Sequence, residues 1–159
     1  MIQYFKTSIF SASSLSKFIG PYMNFSGLFC IDNIPNEIRK HHFAIINLSK
    51  QDEKGSHWLT LHRTIDGCIE VFDSLGYDLR KKNILSEHFP FTYFQINLTP
   101  VQSQDSFLCG QFCIYYVVER FLHFDEDFSE FMNDRFSSNC ARNEEKLKNF
   151  CVENGISIV

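Results

Sequence analysis

At 159 residues, 44 % of them hydrophobic, the chain has the length and composition of one packed domain, 1–159. Eighteen Phe against four Pro and seven Gly, with no repeat or linker, exclude a disordered or low-complexity chain. A net charge of −4 and a pI of about 5.8 argue against a dedicated nucleic-acid surface, which clusters Lys and Arg.

The first twenty residues lack the unbroken apolar stretch of a signal peptide, and no window reaches the roughly 18 apolar residues of a membrane span. The expectation is a soluble, intracellular protein whose six cysteines are reduced thiols rather than a disulfide framework. Leu15, Phe18 and Ile19 before Gly20-Pro21 read as a short amphipathic helix ended by breakers, and 22–40 reads as irregular. Four runs of β-branched and aromatic residues bounded by turn residues predict strands at 43–48, 57–65, 68–72 and 91–98, with a helix within 77–88. The solvated cluster Arg80-Lys81-Lys82 falls in that helix. The apolar spacing at 112, 113, 116, 117 and 121 predicts a buried helix over 110–122, and helices follow at 125–136 and 143–154. In the last, Asn143 suits the N-cap, Glu144 and Glu145 the first turn, and Gly155 the position after the end. The fold class expected is α+β.

A helix beginning at Gly110 puts Cys109 at its N-terminus, where free N–H groups and the helix dipole favour a thiolate. Cys109 is therefore the candidate nucleophile, with its own N–H and that of Gly110 placed to hold an oxyanion. Cys113, one turn on within the apolar stripe, reads as a buried core residue.

A thiolate nucleophile needs a base held by an acid. In GSHWLTLHRTIDGCIEVFDSLGYD, Leu59, Leu61 and Ile65 share one face of the first strand, and Ile69, Val71 and Leu75 share one face of the second. A two-residue turn at Asp66-Gly67 pairs 65 with 68 and sends these sets to opposite faces. A three-residue loop, 65–67, with Gly67 left-handed pairs 64 with 68 and unites them. Asp73 then lies opposite Leu59 and diagonal to His57, which makes the two a candidate base and orienter, although polar residues at strand ends are commonplace. His62 and Glu70 fall on the other face. His41, His42, His88 and His123 have no acid placed by any pattern and read as core or surface residues.

A zinc site from Cys109, Cys113 and His123 is disfavoured, because no second C-x-x-C or H-x-x-x-H cluster exists. C-x-x-x-C is not the thioredoxin spacing. No metal and no cofactor is expected.

With these residues in hand, the chain resembles the adenovirus-type cysteine endopeptidases, the adenain family, found in adenoviruses and in Polinton/Maverick virus-like elements. The resemblance rests on V-Q-x-x-x-S-x-x-C-G-x-F-C, here Val101, Gln102, Ser106, Cys109, Gly110, Phe112 and Cys113. It rests also on H-W followed by F-[DE]-x-x-G-[FY], here His57, Trp58, Phe72, Asp73, Gly76 and Tyr77, and on the upstream Gly20-Pro21-Tyr22. These motifs cover nearly the whole chain in the order His, acid, Gln, Cys.

The resemblance implies a papain-like, adenain-type fold with a mixed central sheet packed on helices. It implies a thiol protease with Cys109 as nucleophile, His57 as base and then acid, and Asp73 as orienter. Gln102 would donate to the oxyanion beside the Cys109 N–H, leaving Gln104 as a loop residue. Trp58 would pack beside the His57 ring and border the substrate groove. Substrates would be virion or capsid precursor polypeptides cut after glycine-containing motifs, in the host nucleus or virion, by a monomer without membrane partners; the family's best-known members are stimulated by DNA, which the acidic charge of this chain argues against. Residues 69–108 contain no cysteine, so no disulfide-linked activating peptide is expected; Asp73 stands where adenoviral members have Glu. Two rivals share the pattern: a deconjugase for SUMO or another ubiquitin-like modifier, and a non-catalytic binding module. The Gln-to-Cys spacing of seven and Leu108 before the cysteine favour the viral type.

Overall fold

A computed structural model describes residues 18–19, 24–53 and 56–158. It is an α+β structure built on a five-stranded mixed sheet of order β1-β2-β3-β4-β5, comprising β1 (Phe25–Cys30), β2 (Phe43–Asn47), β3 (Trp58–Arg63), β4 (Ile69–Phe72) and β5 (Phe94–Ile96). The pairs β1–β2 and β4–β5 are parallel, and the two between them antiparallel. A 3₁₀ turn (Leu79–Lys82) and α1 (Ile84–His88) separate β4 from β5, and α2 (Cys109–Leu122), α3 (Phe128–Arg135) and α4 (Cys140–Glu153) complete the chain. Among the described residues no helix is long and apolar enough to cross a membrane.

Both faces of the sheet are covered. Ala44, Ile46, Leu59, Leu61, Ile69 and Val71 pack against Ile34, Ile38, Leu79, Leu85 and Phe89. Phe43, Ile45 and Phe72 on the other face pack against α2, together with Phe131 of α3 and Leu147 and Cys151 of α4. This two-sided burial is what keeps a five-strand sheet with parallel edge pairs dry.

The β3–β4 hairpin has the expected register. Arg63 pairs with Ile69 and His62 with Glu70, and the Thr64 N–H donates to the Cys68 carbonyl at 2.9 Å. Gly67 takes φ +92°, as the three-residue loop requires. Ile65 departs from the expectation: it belongs to the loop, not the apolar face, and is exposed.

Several elements correct the sequence reading. Residues 25–30, read as irregular, form β1; Gly27 at φ +137° and a register shift between Phe25 and Gly27 interrupt the alternation that marks a strand. Only 94–96 of the run 91–98 is paired. α4 starts a turn early because Asn139, not Asn143, caps it, its side chain accepting from the Arg142 N–H. Asn143 is instead buried, donating from Nδ2 to the Val101 and Ser137 carbonyls. Of the expected N-terminal helix, Phe18 and Ile19 are described and helical; Gly20, Pro21 and Tyr22 lie outside the described residues.

The helix-side face holds a buried ionic cluster. Arg120 on α2 reaches Glu70 with Nε to Oε2 at 2.9 Å and Nη2 to Oε1 at 2.6 Å. His62 Nδ1 lies 2.8 Å from Oε2, and the Tyr116 hydroxyl donates to the same oxygen at 3.0 Å. Burial would raise the Glu70 carboxyl, but the His62 and Arg120 hydrogen bonds and charges hold it below the usual range. Phe43 stacks on His62 at 4.2 Å and Arg120 lies over Phe131 at 5.1 Å.

Candidate active site

Because β3 and β4 run antiparallel, the residue before β3 and the residue after β4 emerge at the same end of the sheet. These are His57 and Asp73. His57 Nε2 and Asp73 Oδ1 are 2.7 Å apart, and both residues are buried.

The helix α2 lies along β3 and β4 with its N-terminus at that end. Arg120 meets Glu70, Tyr116 stacks on Phe72 at 4.5 Å, and Cys113 lies beside Thr60. One turn further toward the N-terminus, Cys109 comes within hydrogen-bonding reach of His57. Nε2 is taken by Asp73, so Nδ1 is the ring nitrogen left to face the sulfur. Strict alternation along β3 and β4 would turn His57 and Asp73 away from α2, toward Leu59 and Val71. They reach Cys109 because they stand just past the strand ends, where the ladder no longer dictates the face.

Cys109 is the first residue of α2. Leu108 caps the helix without a side-chain bond and the first turn carries no acid, so the positive end of the helix is directed at the sulfur. Gly110 is buried in the same turn. Burial alone would lower the His57 pKa, but the hydrogen bonds and charges of Asp73 and Cys109 outweigh it and raise it from 6.5 to about 9. These contacts favour the imidazolium over the neutral ring. Cys113, one turn on, sits in core, where burial pushes its thiol well above the ordinary range.

Asp73 is held at three points. Its Oδ1 also accepts from the Leu75 N–H at 2.8 Å, its N–H donates to Asn97 Oδ1 at 2.8 Å, and its carbonyl accepts from Asn97 Nδ2 at 2.7 Å. Oδ2 has no hydrogen-bond partner among the described residues. The turn after Asp73 requires Gly76: φ is +69°, and an added Cβ would lie 2.7 Å from the Pro100 nitrogen.

Gln102 enters from the segment packed on that turn. Its N–H and that of Val101 both donate to the Ser74 carbonyl, at 3.0 and 2.8 Å. Its side chain is buried, with Oε1 accepting from the Ser74 hydroxyl at 2.6 Å and Nε2 donating to the Ser106 carbonyl at 2.7 Å. Gln104 is exposed in a turn.

His57, Asp73, Gln102 and Cys109 thus share one end of the sheet. Trp58 differs from expectation. It is half-buried against the helix-side core, and the ring edge-on to His57 is that of Tyr77, 5.8 Å away. Of the remaining histidines, His62 has an acid the sequence reading did not find usable, Glu70, within the buried cluster. His123 pairs with Glu126 at 3.1 Å on the surface. His123 is also at the opposite end of α2 from Cys109, and among the described residues no three His, Cys, Asp or Glu side chains are grouped to hold a metal.

Sequence reasoning missed Ser74 and Asn97. A polar residue in a turn is too common to stand out; the signal was their positions, one adjoining Asp73 and the other ending the strand beside it. Comparison of the chain with protein-family models finds no match, and comparison with curated proteins finds no significant one.

Proposed function

We propose that the chain is a cysteine endopeptidase of the adenovirus type, with a papain-like fold, that cleaves virion or capsid precursor polypeptides of a virus or virus-like element after glycine-containing motifs. The observation that carries this reading is the His57 ring caught between Asp73 and the helix-terminal Cys109. The Gln102 amide, turned toward the loop that leads into Cys109, supports it further.

In this mechanism the Cys109 sulfur, as thiolate, attacks the scissile carbonyl and an S–C bond forms. The oxyanion accepts from Gln102 Nε2–H and the Cys109 N–H. His57, protonated at Nδ1, gives that proton to the leaving amine as the C–N bond breaks and a thioester remains. Neutral His57 then takes a proton from water, whose oxygen attacks the thioester; the S–C bond breaks and the acid product leaves. Asp73 keeps Nε2 occupied throughout, so that Nδ1 faces the reaction. Tyr77, edge-on to His57 and exposed, borders the substrate groove there. The enzyme acts as a monomer, in the host nucleus or virion, and needs no cofactor or disulfide-linked activator.

The test is turnover on a peptide library containing Gly-Gly and Gly-Xaa bonds, run beside SUMO and ubiquitin fusions, with Cys109→Ala as control. Cleavage of the library peptides by wild type alone is expected. Cleavage confined to the fusions would replace this reading with a deconjugase, and no difference from Cys109→Ala would leave a binding module.

A further inference from the structure

A glutamine side chain donates to an oxyanion only if its nitrogen, not its oxygen, is turned to it. The two ends of the amide have nearly the same size, and the terminal torsion has two broad wells, so shape alone does not choose between them. At Gln102 the choice is made by hydrogen bonding. The Ser106 carbonyl, three residues before Cys109, can only accept and takes one hydrogen of Nε2 at 2.7 Å. The Ser74 hydroxyl donates to Oε1 at 2.6 Å on the other side. Flipping the amide would set two acceptors against each other at Ser106 and leave the buried Ser74 hydrogen without an acceptor. The second hydrogen of Nε2 is the one left to donate.

Ser74 is also the residue after Asp73. Its carbonyl fixes the backbone of Val101 and Gln102, while Asn97 holds the backbone of Asp73 from both sides. The orienter of His57 and the orienter of Gln102 are thus neighbours on one clamped turn.

We propose that Ser74 is a positioning residue for the oxyanion donor: its hydroxyl holds the Gln102 amide with nitrogen toward the reacting carbonyl. The assignment rests on the endopeptidase reading above. Without the hydroxyl, buried Oε1 has no donor and the amide is held at Ser106 alone, so Ser74→Ala loses part of what deleting the donor costs, about 10²- to 10³-fold in kcat for one oxyanion contact.

The experiment measures kcat and KM on a cleaved Gly-Gly peptide for wild type, Ser74→Ala, Ser74→Thr, Gln102→Ala and the double variant Ser74→Ala/Gln102→Ala. Two readouts accompany it: alkylation of Cys109 by iodoacetamide, which forms no oxyanion, and affinity for a peptide aldehyde ending in glycinal, which does. Ser74→Ala is expected to lower kcat by about 10- to 100-fold with KM within about twofold, and to weaken the aldehyde in proportion. It should leave alkylation unchanged and add nothing in the Gln102→Ala background; Ser74→Thr keeps the hydroxyl and recovers most of the rate. Equal slowing of alkylation and turnover, or a full further loss in the Gln102→Ala background, would overturn the assignment by showing a general structural effect. If Ser74→Ala does not fold, the Ser74→Thr rate and aldehyde affinity decide: loss of both with the hydroxyl retained and alkylation normal overturns it. Wild-type turnover with an unchanged Ser74→Ala overturns this assignment alone, whereas wild type no better than Cys109→Ala overturns the endopeptidase reading with it.

Discussion

Replacing Asp73 with Asn probes the pair on which the proposed chemistry depends. The substitution keeps the size of the side chain and removes its charge. In the structure, Asp73 contributes both a 2.7 Å hydrogen bond and a negative charge to a ring that burial alone would leave less basic than usual. The rise of His57 from 6.5 to about 9 corresponds to ~3 kcal/mol of preference for the imidazolium. Removing the neighbouring charge should lower that pKa by about 1 to 3. The assay is the ratio of iodoacetate to iodoacetamide alkylation at Cys109, followed by mass spectrometry across pH. The anionic reagent is favoured only while the ring is charged. In wild type the ratio should fall as pH rises through about 9, and in Asp73→Asn it should fall at least one pH unit earlier. Stability follows the same group. The folded pKa lies above the unfolded one, so the stabilisation is complete below about pH 6.5 and is lost as pH rises through about 9. Asp73→Asn should flatten that decline. A ratio whose midpoint is unmoved by the substitution would refute the account, because Asp73 would then not be what holds the proton.

Three further outcomes are expected. Cys109 should be alkylated at least tenfold faster than Cys113 at pH 6, since Cys113 is fully buried and its thiol is held protonated; comparable rates in a peptide map would contradict the site. Gly76→Ala should cost about 1 to 3 kcal/mol in a urea titration, from a left-handed φ and backbone 2.7 Å from the new methyl, and should lower turnover beyond what unfolding explains. Glu70→Ala leaves Arg120 and His62 without their buried anion and should destabilise by about 3 to 5 kcal/mol. Because the Glu70 carboxyl is lowered, its stabilisation is present above the ordinary carboxylate range and is lost as pH falls through its folded value, so the variant's deficit should shrink in acid.

The base and its acid were legible because they hang on a hairpin whose turn carries its own signal. Asp66-Gly67 between two alternating runs permits few registers, and only one unites the apolar faces, so His57 and Asp73 follow from local residues. Cys109 was legible for a similar reason: a long apolar stripe after Gly110 announces a helix, and its first residue occupies a place with known electrostatics. Two alternating apolar runs suggest a single core, whereas both faces of the sheet are covered. The register survived because the two apolar sets do face one core, only not the one beneath α2. Glu70 and Arg120 could not be paired from sequence, being 50 residues apart and joined only by the packing of α2 on the sheet. Strand β1 was hidden by Gly27 and a bulge, and by a parallel partner that contributes no turn. Asn139 and Asn143 are equally good caps by residue type; the tertiary contact of Asn143 with Val101 decides between them.

Apolar side chains tolerate sliding: a helix shifted along a greasy groove trades one set of contacts for another of similar worth. A two-pronged guanidinium on a carboxylate does not, because both prongs must land together. Arg120 and Glu70 therefore act as an axial stop for α2, about eleven residues and ~16 Å from its first turn. A substitution there that leaves the protein folded would still let the helix creep along its axis, and the first thing to move out of reach would be a sulfur at the far end.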